Sequence, residues 1–255
     1  MDAGLIDADM TAYYAQRLAA QRLARCYALA TPRMQHYLEQ ELAYLLAQVR
    51  PGGEVLELGC GYGRVALRLA EAGARVTGID VAEDSLALAR EQAAAAGLTA
   101  RCDYLMMDAL ELDFDDARFD LVACVQNGIA AFRVDPARML AQAWRVLRPG
   151  GTLLLSTYTE AIWDERLAWF EAQADAGLIG RVDRSASHDG TIVCDDGFRS
   201  GRFSAEQFHQ IAPALGVSAQ LHEVDASSLW CTLRKPAASR SSTRAEGAAQ
   251  PTRSP

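Results

Sequence analysis

From residue 54 to residue 158, short apolar runs alternate with segments of helical character, and this alternation constrains the fold more than any other feature. "EVLEL" reads as a strand and "RVALRLAEAG" as a helix ended by Gly73. "RVTGI" and "EDSLALAREQAAAAG", ended by Gly97, repeat the pair. "ARCDYLMM" and "FDLVACV" follow as strands, then "DPARMLAQAWRVL" as a helix and "GGTLLLSTY" as a strand. Strands joined through helices require right-handed crossovers, so an α/β fold is expected, its sheet mostly parallel and covered on both faces. Farther on, "VSAQLHEVD" and "SSLWCTLRK" are separated only by "AS" and read as an antiparallel pair that closes the sheet.

The flanks are of different character. Residues 1–50 read as helical. Thr31 followed by Pro32 is a helix start, a capping hydroxyl and then a residue pre-set for the first turn. Met34, Leu38, Leu42, Leu45 and Val49 then form a single apolar stripe. Residues 158–203 break the alternation with aromatic, acidic and glycine-rich pieces. "SAEQFHQIAPALG" resumes as a helix capped by Ser204 and shortened by Pro213. Residues 235–255 hold no large apolar side chain and read as a disordered tail. The organisation expected is a helical cap (1–50), a main domain (51–234) carrying an insertion (158–203), and the tail.

Composition narrows the function classes. A chain of 255 residues, half of them hydrophobic, can bury a sizeable core, and its formal charge of −8 disfavours nucleic acid or an anionic membrane as partner. Its six cysteines have no close pair, which points to neither a metal site nor a disulfide framework. No apolar run approaches the roughly 18 residues of a membrane helix. The N-terminus has no apolar core of a signal peptide. A cytoplasmic protein is the expectation.

In an open parallel sheet, ligands bind beyond the carboxyl ends of the strands. After the first strand stands Glu57-Leu58-Gly59-Cys60-Gly61-Tyr62-Gly63, with G-x-G-x-G spacing and Arg64 at the place of the third glycine of a dinucleotide fingerprint. After the second stands Asp80, placed to accept from ribose hydroxyls or to cap the next helix. After the third stand Met107-Asp108-Ala109, suited to an exocyclic amine and a ring nitrogen, or to a solvated loop. After the fourth stand Gln126-Asn127-Gly128, amides facing a reacting centre or simply a turn at positive φ.

Taken together, these residues resemble the class I S-adenosylmethionine-dependent methyltransferases. "VLELGCGYG" is similar to that family's first motif, "GID" to its second-strand acid, "MMDA" to its adenine segment, and "RVLRPGGTLLLS" to its helix-to-fifth-strand signature. The resemblance covers residues 50–157 and continues to 234. It implies a Rossmann-like, doubly wound sheet with an antiparallel last strand. It further implies methyl transfer from S-adenosylmethionine to a small-molecule acceptor. Glu57 and the backbone of Gly59, Gly61 and Gly63 would hold the methionine moiety, Asp80 with Val81 the ribose, and Asp108 with Ala109 the adenine, with Gln126 close by. Ala82 departs from the serine or threonine cap that relatives often carry. Catalytic candidates are Asn127, His36 and Tyr37, and the insertion, with His188, Arg199 and Arg202, would serve as an acceptor lid. Alternatives are a nucleic-acid or protein methyltransferase, a nicotinamide-dependent oxidoreductase, and a non-catalytic cofactor-binding module. "QNGIAAF" lacks the Asn/Asp-Pro-Pro-aromatic run of nucleic-acid N-methyltransferases.

Overall fold

A computed structural model describes residues 9–131 and 135–238. Three helices lead in: α1 (Asp9–Gln16), α2 (Ala20–Ala28) and α3 (Pro32–Leu46). Thr31 caps α3 by accepting from the Met34 amide, with Pro32 in the first turn, as the sequence implied. The alternating block follows as β1 (Glu54–Leu58), α4 (Arg64–Glu71), β2 (Arg75–Asp80), α5 (Glu83–Ala95), β3 (Cys102–Met106), β4 (Phe119–Cys124), α6 (Gly128–Ala131), α7 (Pro136–Val146) and β5 (Leu147–Tyr158). The insertion holds α8 (Trp163–Asp175) and a two-stranded ribbon of β6 (Ile192–Val193) and β7 (Arg199–Ser200). Then come α9 (Ala205–Ile211), β8 (Gln220–Val224) and β9 (Ser228–Arg234). Ser204 and Gln207 form a reciprocal capping box on α9, and a 3₁₀ turn containing Pro213 ends it.

The seven-stranded sheet runs β3-β2-β1-β4-β5-β9-β8. The first five strands pair in parallel, β9 lies antiparallel between β5 and β8, and the architecture is the Rossmann-like one expected. Strand side chains alternate between two cores, as a pleated strand buried on both faces requires. Leu56, Val122, Cys124, Leu153 and Leu155 face the layer containing α7 and α9. Val55, Leu121, Ala123 and Leu154 face the layer containing α4 and α5. Strand order reverses between β1 and β4, which opens a crevice at the carboxyl ends of those strands.

A third core joins what the sequence separated. Tyr13, Leu18, Cys26, Met34 and Tyr37 from α1–α3 pack with Tyr158, Trp169, Phe170, Ile192 and Phe198. Trp169 Nε1 donates to the Cys26 carbonyl (2.8 Å), and Arg22 reaches the carbonyls of Gly177 and Leu178. Cap and insertion are therefore one layer above the crevice. The six cysteines are all free. The expected tail falls, from residue 239 onward, outside the described residues. Lys235, the first residue of that expected tail, is instead docked, its Nζ donating to the carbonyls of Trp144 and Leu147.

Candidate functional site

The loop after β1 turns through left-handed backbone at Gly59 (φ 71°), Gly61 (φ 52°) and Gly63 (φ 81°). At Gly63 the reason is also steric: a Cβ would lie 2.7 Å from Tyr104 Oη and 2.9 Å from Ala89 Cβ. That glycine lets α4 start close against β3 and α5, whereas Gly59 and Gly61 line the crevice. Asp80, at the end of β2, braces the loop. Its Oδ2 accepts from the Gly61 amide (2.8 Å) and its Oδ1 from the Ala82 amide (2.9 Å). The second bond supports the start of α5, where Ala82 itself offers no side-chain cap.

One cavity collects the ends of four strands. Glu57, Gly59 and Gly61 come from β1 and its loop, Asp80 and Val81 from β2, Asp108 and Ala109 from beyond β3, and Gln126 from beyond β4. Tyr14, Leu18, Leu23 and Tyr27 of the cap form its roof. Glu57 is 3 % exposed and its Oε2 has no hydrogen-bond partner among the described residues. Burial pushes its carboxyl up to about 8, against the pull of nearby Arg64. Burial also raises the Asp80 carboxyl, opposed by its backbone hydrogen bonds. Asp108 is exposed and accepts from the Leu110 amide (2.8 Å) through Oδ1.

The turn after β4 is held on three sides. Gln126 (φ 53°) and Asn127 (φ 64°) both occupy left-handed backbone without being glycine. The Gln126 amide donates to Ser156 Oγ (2.8 Å), whose hydroxyl donates to buried Glu41 (2.6 Å). Asn127 donates to the Gly201 carbonyl (2.8 Å) and accepts from Thr157 Oγ1 (2.7 Å). This leaves the buried Gln126 Nε2 at the cavity with no partner among the described residues.

The catalytic candidates sit elsewhere. Asn127 is 2 % exposed and committed to the bonds just described, outside the cavity lining. Tyr37 is fully buried in the cap core and donates to Glu41 (3.1 Å). His36 lies on the outer surface of α3, 3.4 Å from Asp225. In the insertion, His188 pairs with its neighbour Asp189, Arg202 pairs with Glu160, and Arg199 lies exposed on β7. None of these six lines the cavity, and Gly63 does not either.

Two residues of the site were missed in the sequence. Arg64, noted only as a departure from a glycine pattern, lines the cavity with its guanidinium 4.9 Å from the Tyr27 ring. Glu41 sits on the buried face of α3 beside Tyr37 and Leu38, and an acid among the apolar positions of that stripe was the available signal.

Residues 55–151 match the family model described as a methyltransferase domain. Over that segment the chain is similar to methyltransferase domains. Among curated methyltransferases, the chain is 35 % identical over 138 residues to a ubiquinone biosynthesis O-methyltransferase of Methylococcus capsulatus, covering 54 % of this chain and 55 % of that protein. It is 37 % identical over 122 residues to a 27-O-demethylrifamycin SV methyltransferase of Amycolatopsis mediterranei, covering 48 % of this chain and 44 % of that protein. The chain thus spans about half the length of these curated methyltransferases. The fold is similar to that of magnesium protoporphyrin IX methyltransferase from Synechocystis PCC 6803, solved with bound SAH (TM-score 0.60, 18 % identity, 88 % of this chain and 97 % of that one).

Proposed function

We propose that this chain transfers the methyl group of S-adenosylmethionine to a small-molecule acceptor. The observation that carries the reading is the single cavity in which Glu57, Asp80, Asp108 and Gln126 meet from four strand ends under a roof of cap helices. The residues fit the cofactor on grounds of their own chemistry. Glu57 offers a buried carboxylate oxygen lacking a partner, suited to an ammonium group. Each Asp80 oxygen accepts one backbone amide and retains a lone pair for a ribose hydroxyl. Asp108 and the Ala109 amide stand where an adenine edge would be read, and Val81 and the Gly59–Gly61 backbone complete the walls.

When bound, the cofactor supplies a methyl group already activated by a positive sulfur, which passes to the acceptor by in-line displacement. The protein's part is alignment and exclusion of water. The rigid β4 turn fixes Gln126 at the cavity, and Leu18, Leu23, Tyr14 and Tyr27 provide an apolar lid over the acceptor side. The acidic chain and enclosed, aromatic-lined roof favour a small acceptor over nucleic acid or protein. The names of the two curated relatives favour a hydroxyl oxygen as the atom methylated. Among the described residues no histidine lines the cavity, which favours acceptors that ionise readily, such as phenols.

The test is calorimetry with S-adenosylhomocysteine, followed by labelled-methyl transfer across phenols, aliphatic alcohols, amines and oligonucleotides. Saturable binding and labelling of a phenol or alcohol is expected. Absence of binding to the folded chain would refute the cofactor reading, and labelling of oligonucleotides alone would refute the small acceptor.

A further inference from the structure

Glu41 lies on the buried face of α3, 2 % exposed, and one of its oxygens gathers donors from α3, from β5 and from the turn after β4. Oε1 accepts from Ser156 Oγ at 2.6 Å, from Tyr37 Oη one turn back on the helix at 3.1 Å, and from the Gln126 amide at 3.3 Å. The Gln126 amide also reaches Ser156 Oγ at 2.8 Å, so acid, hydroxyl and amide close a triangle. At 2.6 Å the Ser156 bond has the length of a hydroxyl bond to an ionised carboxylate. Burial pushes the Glu41 carboxyl up, and the Ser156 bond, the charge of Arg64 and the bonds from Tyr37 and Gln126 oppose it. Packing does not account for such a residue. An apolar side chain would fill the space between α3 and the sheet without the cost of burying a charge.

What Glu41 holds is a turn that an ordinary backbone disfavours. Gln126 sits at φ 53°, and it brings to the cavity a buried Nε2 with no hydrogen-bond partner among the described residues. Strand order tells which end of the cavity this is. Asp108, Asp80 and Glu57 stand at the ends of β3, β2 and β1, and Gln126 stands past them at the end of β4. A cofactor laid across the first three leaves the β4 end for the acceptor. We propose that Glu41 is a positioning residue for methyl transfer: through Ser156 and the Gln126 amide it holds the β4 turn so that the Gln126 carboxamide donates to the acceptor oxygen at a fixed place and angle. This rests on the cofactor reading above and assigns Gln126 to the acceptor rather than to the cofactor. Tyr37 fixes the acid in turn, which accounts for two polar side chains buried one turn apart on a cap helix. A donor at this point also selects the acceptor's chemistry. A neutral amine has a single lone pair, which the methyl group takes, whereas an oxygen keeps a second one for Gln126.

The experiment compares wild type with Glu41→Gln, Glu41→Asp, Ser156→Ala and Gln126→Ala in two arms. The first follows amide exchange in the ligand-free proteins. The Gln126 turn should exchange about tenfold faster in Glu41→Gln and in Ser156→Ala, with α4 and α7 unchanged. The second arm combines calorimetry with S-adenosylhomocysteine and labelled-methyl transfer to the phenol or alcohol that the wild-type chain labels. In Glu41→Gln, kcat should fall about tenfold to a hundredfold, the scale of a reacting group misplaced by about 1 Å. Affinity for S-adenosylhomocysteine should stay within about twofold of wild type. Glu41→Asp, which keeps the charge on a shorter stem, should recover part of the rate. Gln126→Ala should lose as much as Glu41→Gln, and the double variant no more than either, because both act through one carboxamide. Losses that multiply in the double variant overturn the proposal, as does a fall in S-adenosylhomocysteine affinity that matches the fall in kcat. Unchanged exchange of the turn in folded Glu41→Gln overturns it without any acceptor, and Ser156→Ala supplies the same test where Glu41→Gln does not fold. Either result with S-adenosylhomocysteine still bound sinks the role of Glu41 alone, whereas wild-type protein that does not bind it sinks the cofactor reading and this role together.

Discussion

Asp80 serves two partners at once, and the consequences differ for each. Its carboxylate braces the glycine loop through Gly61 and the α5 start through Ala82, and it faces the cavity. Asp80→Asn keeps one acceptor oxygen and places a donor against a backbone amide, while Asp80→Ala removes both braces. Asp80→Ala should weaken binding of S-adenosylhomocysteine by about 1.5–3 kcal/mol, the scale of hydrogen bonds to a charged group. Calorimetry on a folded variant with unchanged affinity would remove Asp80 from the site. The acidic strand ends were legible as candidates because topology makes those positions face a crevice whatever their neighbours are. Arg64 was not legible in the same way. A helix-opening arginine is ordinarily solvated, and only the placement of Tyr27 over it reveals that two of its donors are buried. His36 and Tyr37 stood out chemically, yet one points outward to Asp225 and the other is consumed in holding Glu41.

At the scale of elements, the turn between β4 and α6 is the most constrained segment near the site. Two non-glycine residues at positive φ are kept there by bonds from α3, β5 and the segment after β7. Asn tolerates this backbone better than most residues, and its side chain makes two buried hydrogen bonds. Asn127→Ala loses both bonds and adds strain, so it should destabilise the fold by about 2–4 kcal/mol. Urea unfolding would register this as a lower midpoint at unchanged slope, and a midpoint equal to wild type would contradict it. The strands and helices of residues 54–158 were readable because their periods are clean. Helix α8 was not, for a physical reason: its buried positions are Arg166, Trp169, Phe170 and Gln173, so polar residues occupy half of its inner stripe. Arg166 reaches the carbonyls of Gly190, Ser200 and Gly201, ordering the insertion from within while blurring the apolar pattern that would have announced a helix. Trp169 contributes in the other direction, to the cap. Trp169→Phe removes its bond to the Cys26 carbonyl and should cost about 1–2 kcal/mol. Amide exchange should accelerate in α2 and α8 together, and acceleration in α8 alone would mean that cap and insertion are separate layers.

For the whole molecule, two buried carboxyls, Glu41 and Glu57, and the half-buried Asp80 surround the cavity and its supports, and together they make stability depend on pH. Burial raises Glu57 to about 8 and also raises Glu41 and Asp80. A carboxyl whose folded value lies above its unfolded one binds more protons in the folded state, so its contribution is present at low pH and declines as pH rises through the folded value. For Glu57 the window runs from the ordinary carboxylate range near 4.5 to about 8. The depressed carboxyls, Asp120 held by the Glu54 amide and Arg148 and Asp225 held by Arg33, act in the opposite sense, but only below 3.8. The ligand-free protein should therefore lose stability between pH 5.5 and 8, with a slope approaching about 1.4 kcal/mol per unit for each proton released. Glu57→Gln should flatten much of that slope, since it cannot ionise. Binding of an ammonium-bearing ligand against Glu57 has the complementary dependence, because it favours the ionised carboxylate. Affinity for S-adenosylhomocysteine should rise by up to about tenfold per pH unit toward pH 8 in the wild type and stay level in Glu57→Gln. Urea midpoints and calorimetry at four pH values decide both halves. Stability that is flat or rising over this range would show that Glu57 is already ionised in the empty cavity, and its unpartnered oxygen would then have to be accounted for by Arg64 alone.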